Sequence, residues 1–354
     1  MTDPYPTDAF EAKTLSRDQA AAYLDRIKLP NALLDSPPSL ELLSSVFLAH
    51  LEQIPKDTTP LHVSEEQWRG PSTPIQLGSA FTSMPLGALA MGRIVGEKKG
   101  AFCFSINATF SSLLRFWGFD VSEVASRSYK ALGQDPRTNE AGWKWGTITH
   151  GFMIVGWAGS ADRYLVDGAW GPANLAKPIK LTTDPAGETI IGLNEFEAYK
   201  LVHEPLPLSP GVARPIDSMP GYTLYRRIAP VGAPHVLPIT SESPGYWSPL
   251  FHFLLLSVPL ADLMLYHHFS ATHQHASFTA FWLVTRLIPG GKGARRSMMY
   301  ADKEGMPRRA KVYTTGGPEA QGSEEGRDVE WVEMQTGPMK DYLAKEFGFR
   351  FQES

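Results

Sequence analysis

The chain reads as an α+β protein with two or three cores, and three observations point there. Helical periodicity with capping signals dominates the first 117 residues. A period of two takes over from Thr147 to about Arg227. A third segment then mixes an apolar run, strand-like stretches and a closing helix. At 354 residues the chain is long enough for two to three such units.

Composition narrows the class. Hydrophobic content of 43% with 20% charged residues describes an ordinary globular protein. The formal net charge of −4 gives no global pull toward nucleic acid or an anionic membrane. One cysteine, Cys103, excludes an intrachain disulfide and fits a reducing, cytoplasmic setting. Met1-Thr2-Asp3-Pro4 lacks the basic flank and apolar core of a signal peptide. The most apolar run, 250–265, is interrupted by His252, Pro259 and Asp262. It is too short and polar to span a bilayer and reads as a buried helix or strand pair. No internal repeat is visible.

The elements follow in order. Ser16-Arg17-Asp18-Gln19 is a capping box, and the stripe Tyr23, Leu24, Ile27 ends at Pro30. Ser39 caps a second stripe of Leu43, Val46, Phe47, His50, Leu51 and Ile54, stopped by Pro55. His50 lies on that apolar face and reads as a hydrogen-bonded core histidine. Residues 56–82 are rich in Pro, Thr and Gly and read as loop. Phe110, Leu113, Leu114 and Trp117 define a helix ended by Gly118 and begun near Ser105. Cys103 therefore sits just before or within a first helical turn. Unpaired N–H groups and the positive dipole end lower a thiol pKa there. In the third segment, 279–287 and 308–314 read as strands, 316–327 as a mobile loop, and 339–347 as the final helix.

His150 and Asp167 lie on two successive strand-like runs. With Gly159-Ser160 as a two-residue turn, paired residue numbers sum to 319. Asp167 then opposes Phe152, and His150 and Asp167 become diagonal neighbours on one face, about 7–8 Å apart at Cβ. A thiol, an imidazole that takes its proton and a carboxylate that orients the imidazole make an activated nucleophile. The bland alternative stays open on the residues alone: free cysteine is often a small core hydrophobe, and Asp-Gly is a common turn pair.

These segments resemble the arylamine N-acetyltransferase family in its fungal form. The family's active-site run Arg-Gly-Gly-x-Cys-x-Glu-x-Asn matches 99–107, Lys-Gly-Ala-Phe-Cys-Phe-Ser-Ile-Asn. Its histidine opens an apolar strand, as at His150. Its aspartate ends the next strand in Asp-x-Gly-aromatic-Gly, as in Asp167 to Gly171 with Trp170 as the aromatic. Asp262, the segment 268–273 and the segment 343–348 are similar to later parts of the family, so the match spans nearly the whole chain. The resemblance implies an N-terminal helical bundle (1–100), a central antiparallel β-barrel with the cysteine at its start (101–230) and an interdomain segment with an α/β lid (231–354). This is the core shared with cysteine proteases and transglutaminases.

It also implies chemistry. An acetyl, propionyl or malonyl group would pass from acyl-CoA, a co-substrate, to an arylamine, arylhydrazine or arylhydroxylamine by a ping-pong route. Cys103 would carry the acyl group, His150 would act as base and Asp167 as orienter. Backbone N–H groups near Cys103 would hold the oxyanion. Phe102, Gly146, Thr147, Gly151, Trp170 and Thr272 are the substrate- and CoA-binding candidates, and Trp170 reads equally as a core residue at a strand end. No bound cofactor, metal, nucleic acid or membrane is expected, and the chain is expected to be a monomer or weak homodimer. The expected role is xenobiotic detoxification.

Three departures stand beside the cysteine. Lys99 replaces Arg and Ser105 replaces Glu, which removes an expected ion pair from both sides. Ala101 replaces Gly and narrows backbone freedom. His267, His268, His273 and His275 fit no zinc spacing and read as a polar loop lining the cleft. Lys292, Arg295, Arg296, Arg308, Arg309 and Lys311 could meet CoA phosphates, though a solvated hairpin is the commoner origin of such a run. The competing functions are a cysteine hydrolase or transglutaminase-like enzyme, and a catalytically weak relative that binds aromatic amines.

Overall fold

A computed structural model describes residues 13–80, 90–138, 142–209, 211–212, 219–230, 232–273, 276–317 and 327–352. Helix α1 (Arg17–Arg26) carries the expected capping box, in which Ser16 and Gln19 serve each other's backbone N–H. Helix α2 (Leu40–Gln53) is capped by Ser39 and buries Leu43, Val46, Phe47 and His50. Strand β1 (Lys56–Asp57), a 3-10 turn and helix α3 (Glu65–Arg69) follow. The stretch expected to be loop is therefore partly ordered. Ser64 and Gln67 form a second capping box there, a signal hidden by the surrounding Pro and Thr.

Helix α4 (Cys103–Phe116) begins at the cysteine. Its interior faces are buried almost throughout, from Phe104 to Leu114. Strands β2 (Asp120–Tyr129), β3 (Trp145–Gly156), β4 (Tyr164–Val166), β5 (Ile179–Lys180), β6 (Glu188–Ile191), β7 (Ala198–Pro205), β8 (Pro220–Ile228) and β9 (Tyr246–Phe253) form one antiparallel sheet of eight strands. Its order is β5-β4-β3-β2-β9-β8-β7-β6, with β5 and β6 approaching each other to make a nearly closed barrel. Phe152, Ile154, Leu165, Tyr199, Leu224 and Phe251 fill it.

Strand β2 was not foreseen. It has only two apolar residues before Tyr129 that are buried, Val121 and Val124, and they break the period of two. Its register slips twice against β3, between Ser126 and Tyr129.

The apolar run divides at Pro259 rather than forming one buried element. It supplies the end of β9 and the start of helix α5 (Leu260–Thr272). Leu256 and Leu265 remain 66% and 69% exposed there. Strands β10 (Phe281–Leu287), β11 (Arg295–Ala301), β12 (Arg309–Thr315) and β13 (Arg327–Glu333) join β1 in a five-stranded antiparallel sheet. Helix α6 (Thr336–Phe347) covers one face through Met339, Leu343 and Phe347, packed near Trp282, Val284 and Met298. Of the expected loop, 318–326 lies outside the described residues, and Arg327 opens β13. Among the described residues no helix is long and apolar enough to cross a membrane.

Candidate active site

Cys103 is the first residue of α4, and its N-cap, Phe102, gives no side-chain hydrogen bond. The first backbone N–H groups of the helix are thus left to the cysteine and whatever it binds. The turn before it is fixed by close contacts. Lys56 bridges Ala101, and the Asp57 N–H donates to the Ala101 carbonyl at 2.8 Å. A Cβ on Gly100 would fall 2.0 Å from the Pro55 carbonyl oxygen, so only glycine fits. Ala101 has no left-handed backbone and needs no glycine.

The strand register is the one the sequence predicts: Met153 pairs Val166, Ile154 pairs Leu165 and Val155 pairs Tyr164. The turn differs. Its centre is Ala158-Gly159, closed by the Ser160 N–H on the Trp157 carbonyl at 3.1 Å, within a longer connection over 157–163. Gly159 takes φ +86°, the left-handed region. That turn alone would sum to 317; it keeps the same parity, and the longer connection restores 319 in the paired strands, so His150 and Asp167 still share a face. The imidazole Nε2 lies 2.7 Å from Asp167 Oδ2. Its other ring nitrogen is left for Cys103, which interacts electrostatically with the imidazole and whose thiol donates to the Thr149 carbonyl at 3.8 Å. All three groups are buried.

A second set of bonds holds the carboxylate. Asn107, one helical turn after Cys103, donates to the Gly151 carbonyl at 2.6 Å and to Asp167 Oδ1 at 3.2 Å. Its own Oδ1 accepts from the Gly168 N–H at 2.8 Å. The Ala169 N–H reaches Asp167 Oδ1 at 3.0 Å. Asn174 donates to the Asp167 carbonyl at 2.8 Å and accepts from the Trp170 N–H at 2.6 Å. Asn107 stood in the matched run without a role; its spacing of four from Cys103, which puts both on one helix face, was the available signal. Asn174 had none.

Electrostatics favour the ion pair. Burial raises the Cys103 thiol pKa, but His150, its hydrogen bond, Lys56 and the Gly151 N–H outweigh burial and lower it. Burial opposes the imidazolium of His150, yet Asp167 and the Cys103 thiolate lift it to about 9. Both shifts favour a thiolate–imidazolium pair over a neutral thiol and imidazole. Aromatic rings wall it in. Trp170 meets His150 edge-on with centroids 4.8 Å apart, and Phe152 and Phe251 lie at 5.9 and 5.3 Å.

The other expected residues sit as follows. Phe102 stacks on His267 at 4.3 Å and Gly151 lies against Phe104, both beside the triad. Gly146 and Thr147 occupy the outer end of β3, where the Lys130 side chain crosses Gly146. Thr272 is the exposed last residue of α5 and its hydroxyl donates to the His268 carbonyl at 2.8 Å. His50 is the expected core histidine: its Nδ1 is 2.8 Å from the Tyr23 hydroxyl, and burial lowers its pKa to about 3.

Several expectations are corrected. Position 105 offers Lys99 no carboxylate, as expected, but the loss is made good: Nζ is 2.7 Å from Glu65 and 2.8 Å from Glu97. His267 lies in α5 among Phe102 and Phe104 rather than in a polar loop. His275 is outside the described residues, and among those described no group of three or more His, Cys, Asp or Glu could hold a metal. Only part of the basic run is solvated: Lys292, Arg308 and Arg309 are exposed, but Arg295 and Arg296 are not. Arg295 is buried against Glu197, and Arg296 is bound to Glu330.

A buried Cys-His-Asp constellation at a helix N-terminus beside a barrel defines a thiol-nucleophile enzyme of the acyl-transfer class. The family model described as N-acetyltransferase matches residues 75–316. The arylamine N-acetyltransferase of Mycolicibacterium smegmatis is 25% identical over 257 residues, 72% of each chain. In fold, the chain is similar to the arylamine N-acetyltransferase of Mycobacterium abscessus, with TM-score 0.64 and 17% identity over 99% of this chain and 95% of that one. The Mycobacterium marinum enzyme in complex with CoA gives TM-score 0.59 and 20% identity over 93% and 92%. The chain belongs to the arylamine N-acetyltransferase family.

Proposed function

We propose that the chain moves an acyl group from acyl-CoA to an aromatic amine, hydrazine or hydroxylamine by a ping-pong route through acyl-Cys103. The observation that carries this reading is a buried cysteine at the start of α4 beside His150, which is itself held by Asp167 at 2.7 Å. The Cys103 thiolate attacks the thioester carbonyl, the bond to the CoA sulfur breaks, and the departing thiolate takes the proton of His150. The amine then attacks the acyl-cysteine, gives its proton to His150 and releases Cys103 as thiolate. The N–H groups at the start of α4, together with that of Gly151, stabilise the charge developed on the carbonyl oxygen.

Relatives named as arylamine N-acetyltransferases, one of them solved with CoA, support the choice of donor and acceptor. Transfer is favoured over hydrolysis because the thiol is fully buried and its partner His150 is walled by Trp170, Phe152 and Phe251, which keeps water from the thioester. A lone thiol that must stay reduced to work suits a reducing compartment. Initial rates measured over several acetyl-CoA and arylamine concentrations test the route. Parallel double-reciprocal lines are expected, with turnover abolished in Cys103→Ala. Intersecting lines, or turnover retained by that variant, would refute it.

A further inference from the structure

Resting on the acyltransferase reading, we infer that Lys56 binds a carboxylate that a substrate brings to the acyl group on Cys103. Lys56 is 7% exposed. Its backbone is bridged to Ala101, two residues before the nucleophile. The side chain runs over Gly171, where a Cβ would lie 3.7 Å from Nζ. The ammonium donates to the Trp170 carbonyl at 2.6 Å and lies 5.0 Å from the centre of the Phe278 ring. Trp170 is the ring set against His150, and Phe278 neighbours Phe102, the N-cap of the catalytic helix. The cation is therefore built into the wall of the site.

No carboxylate among the described residues pairs with this ammonium. Its chain neighbour Asp57 is committed to Arg93 at 2.7 Å and to the Thr59 N–H at 2.8 Å. A lysine ammonium has three donors, and one carbonyl takes one of them. Burying a cation without a partner is costly, and such groups are kept where a charge meets them. In the resting state the Cys103 thiolate and Asp167 both act on Lys56 electrostatically. Acylation turns that thiolate into a neutral thioester and removes one of these two negative charges. A carboxylate arriving with the substrate replaces it.

Two substrates carry such a group: an acyl donor ending in a carboxylate, of the malonyl type, and an acceptor of the aminobenzoate type. Two pairs of reactions on the full chain separate them. Acylation of Cys103 is timed by intact mass with acetyl-CoA against malonyl-CoA, and discharge of acetyl-Cys103 is timed with aniline against 4-aminobenzoate. The native chain is expected to favour the carboxylate member of one pair at least tenfold. K56M should bring that ratio near one, and K56R should keep most of it.

Absence of preference in both pairs overturns the assignment using the native chain alone, whether or not K56M folds. An equal slowing of all four reactions in K56M, with the ratio intact, also overturns it, because that is what a lysine serving only the thiolate would give. If no CoA thioester acylates Cys103, the acyltransferase reading itself fails.

Discussion

Cys103 is a rare residue whose meaning depends on its neighbours. Its lowered thiol pKa and the His150 pKa of about 9 set a pH window. The ion pair exists above the first and is lost as pH rises through the second, when His150 gives up its proton. The rate of alkylation by iodoacetamide should therefore rise and level off at a lower pH than that of a free thiol, which climbs about tenfold per unit below its pKa. A rate that tracks a free thiol would remove the activated nucleophile. Acyl transfer should decline above about pH 9 as His150 deprotonates.

Asn107→Leu removes the side chain that holds the Asp167 carboxylate and its turn. It leaves the Gly168 N–H and Gly151 carbonyl without partners and frees the Asp167 carboxylate to turn. Turnover should drop roughly 10- to 100-fold, by analogy with other groups that orient a functional side chain. Unchanged kinetics would show that Asn107 does not position the triad. The triad itself was legible from residue types in order, whereas Asn174 and Lys56 were not. Their partners, Asp167, Trp170 and Ala101, are brought to them only by the fold.

Among elements, the hairpin that carries His150 and Asp167 shows what a sequence pattern can and cannot convey. The facing of the two strands depends on parity alone, so it survived a change in the turn from Gly159-Ser160 to Ala158-Gly159, while the register was kept by the longer connection over 157–163. Helices α1, α2 and α4 were legible because their caps and stripes are local. Strands β2 and β11 were not. The first breaks its alternation between Val121 and Val124 and slips register twice further on, and the second is rich in Arg and Ser, whose burial is satisfied only by distant partners. The catalytic turn is the tightest local device. Gly100→Ala would drive a Cβ into the Pro55 carbonyl at 2.0 Å. We expect a loss of about 1–3 kcal/mol or more in urea unfolding, together with weakened acylation as the turn shifts Cys103. Full stability in that variant would mean the turn yields without cost.

Over the whole molecule, the five-stranded sheet and the barrel meet at one buried ion pair. Arg295 on β11 binds Glu197 just before β7, and its second nitrogen donates to the Asn174 carbonyl at 2.8 Å. Asn174 in turn holds the backbone of Asp167 and Trp170. The sheet thus supports the carboxylate end of the triad without touching it. Glu197→Ala strands a buried guanidinium and should cost about 3–5 kcal/mol, whereas the double variant Glu197→Leu/Arg295→Met should cost less because no charge is left alone. Denaturant unfolding of the two side by side checks this, and equal losses would contradict it.

The claim on which the rest depends is that Cys103 carries the acyl group between two substrates. Incubation of the full chain with acetyl-CoA, followed by digestion and mass mapping, should find one acetyl group, on the peptide containing Cys103. A later addition of an arylamine should remove it and yield an equal amount of acetylated amine. An acetyl group found elsewhere, or a Cys103 adduct that an arylamine cannot discharge, would contradict the account.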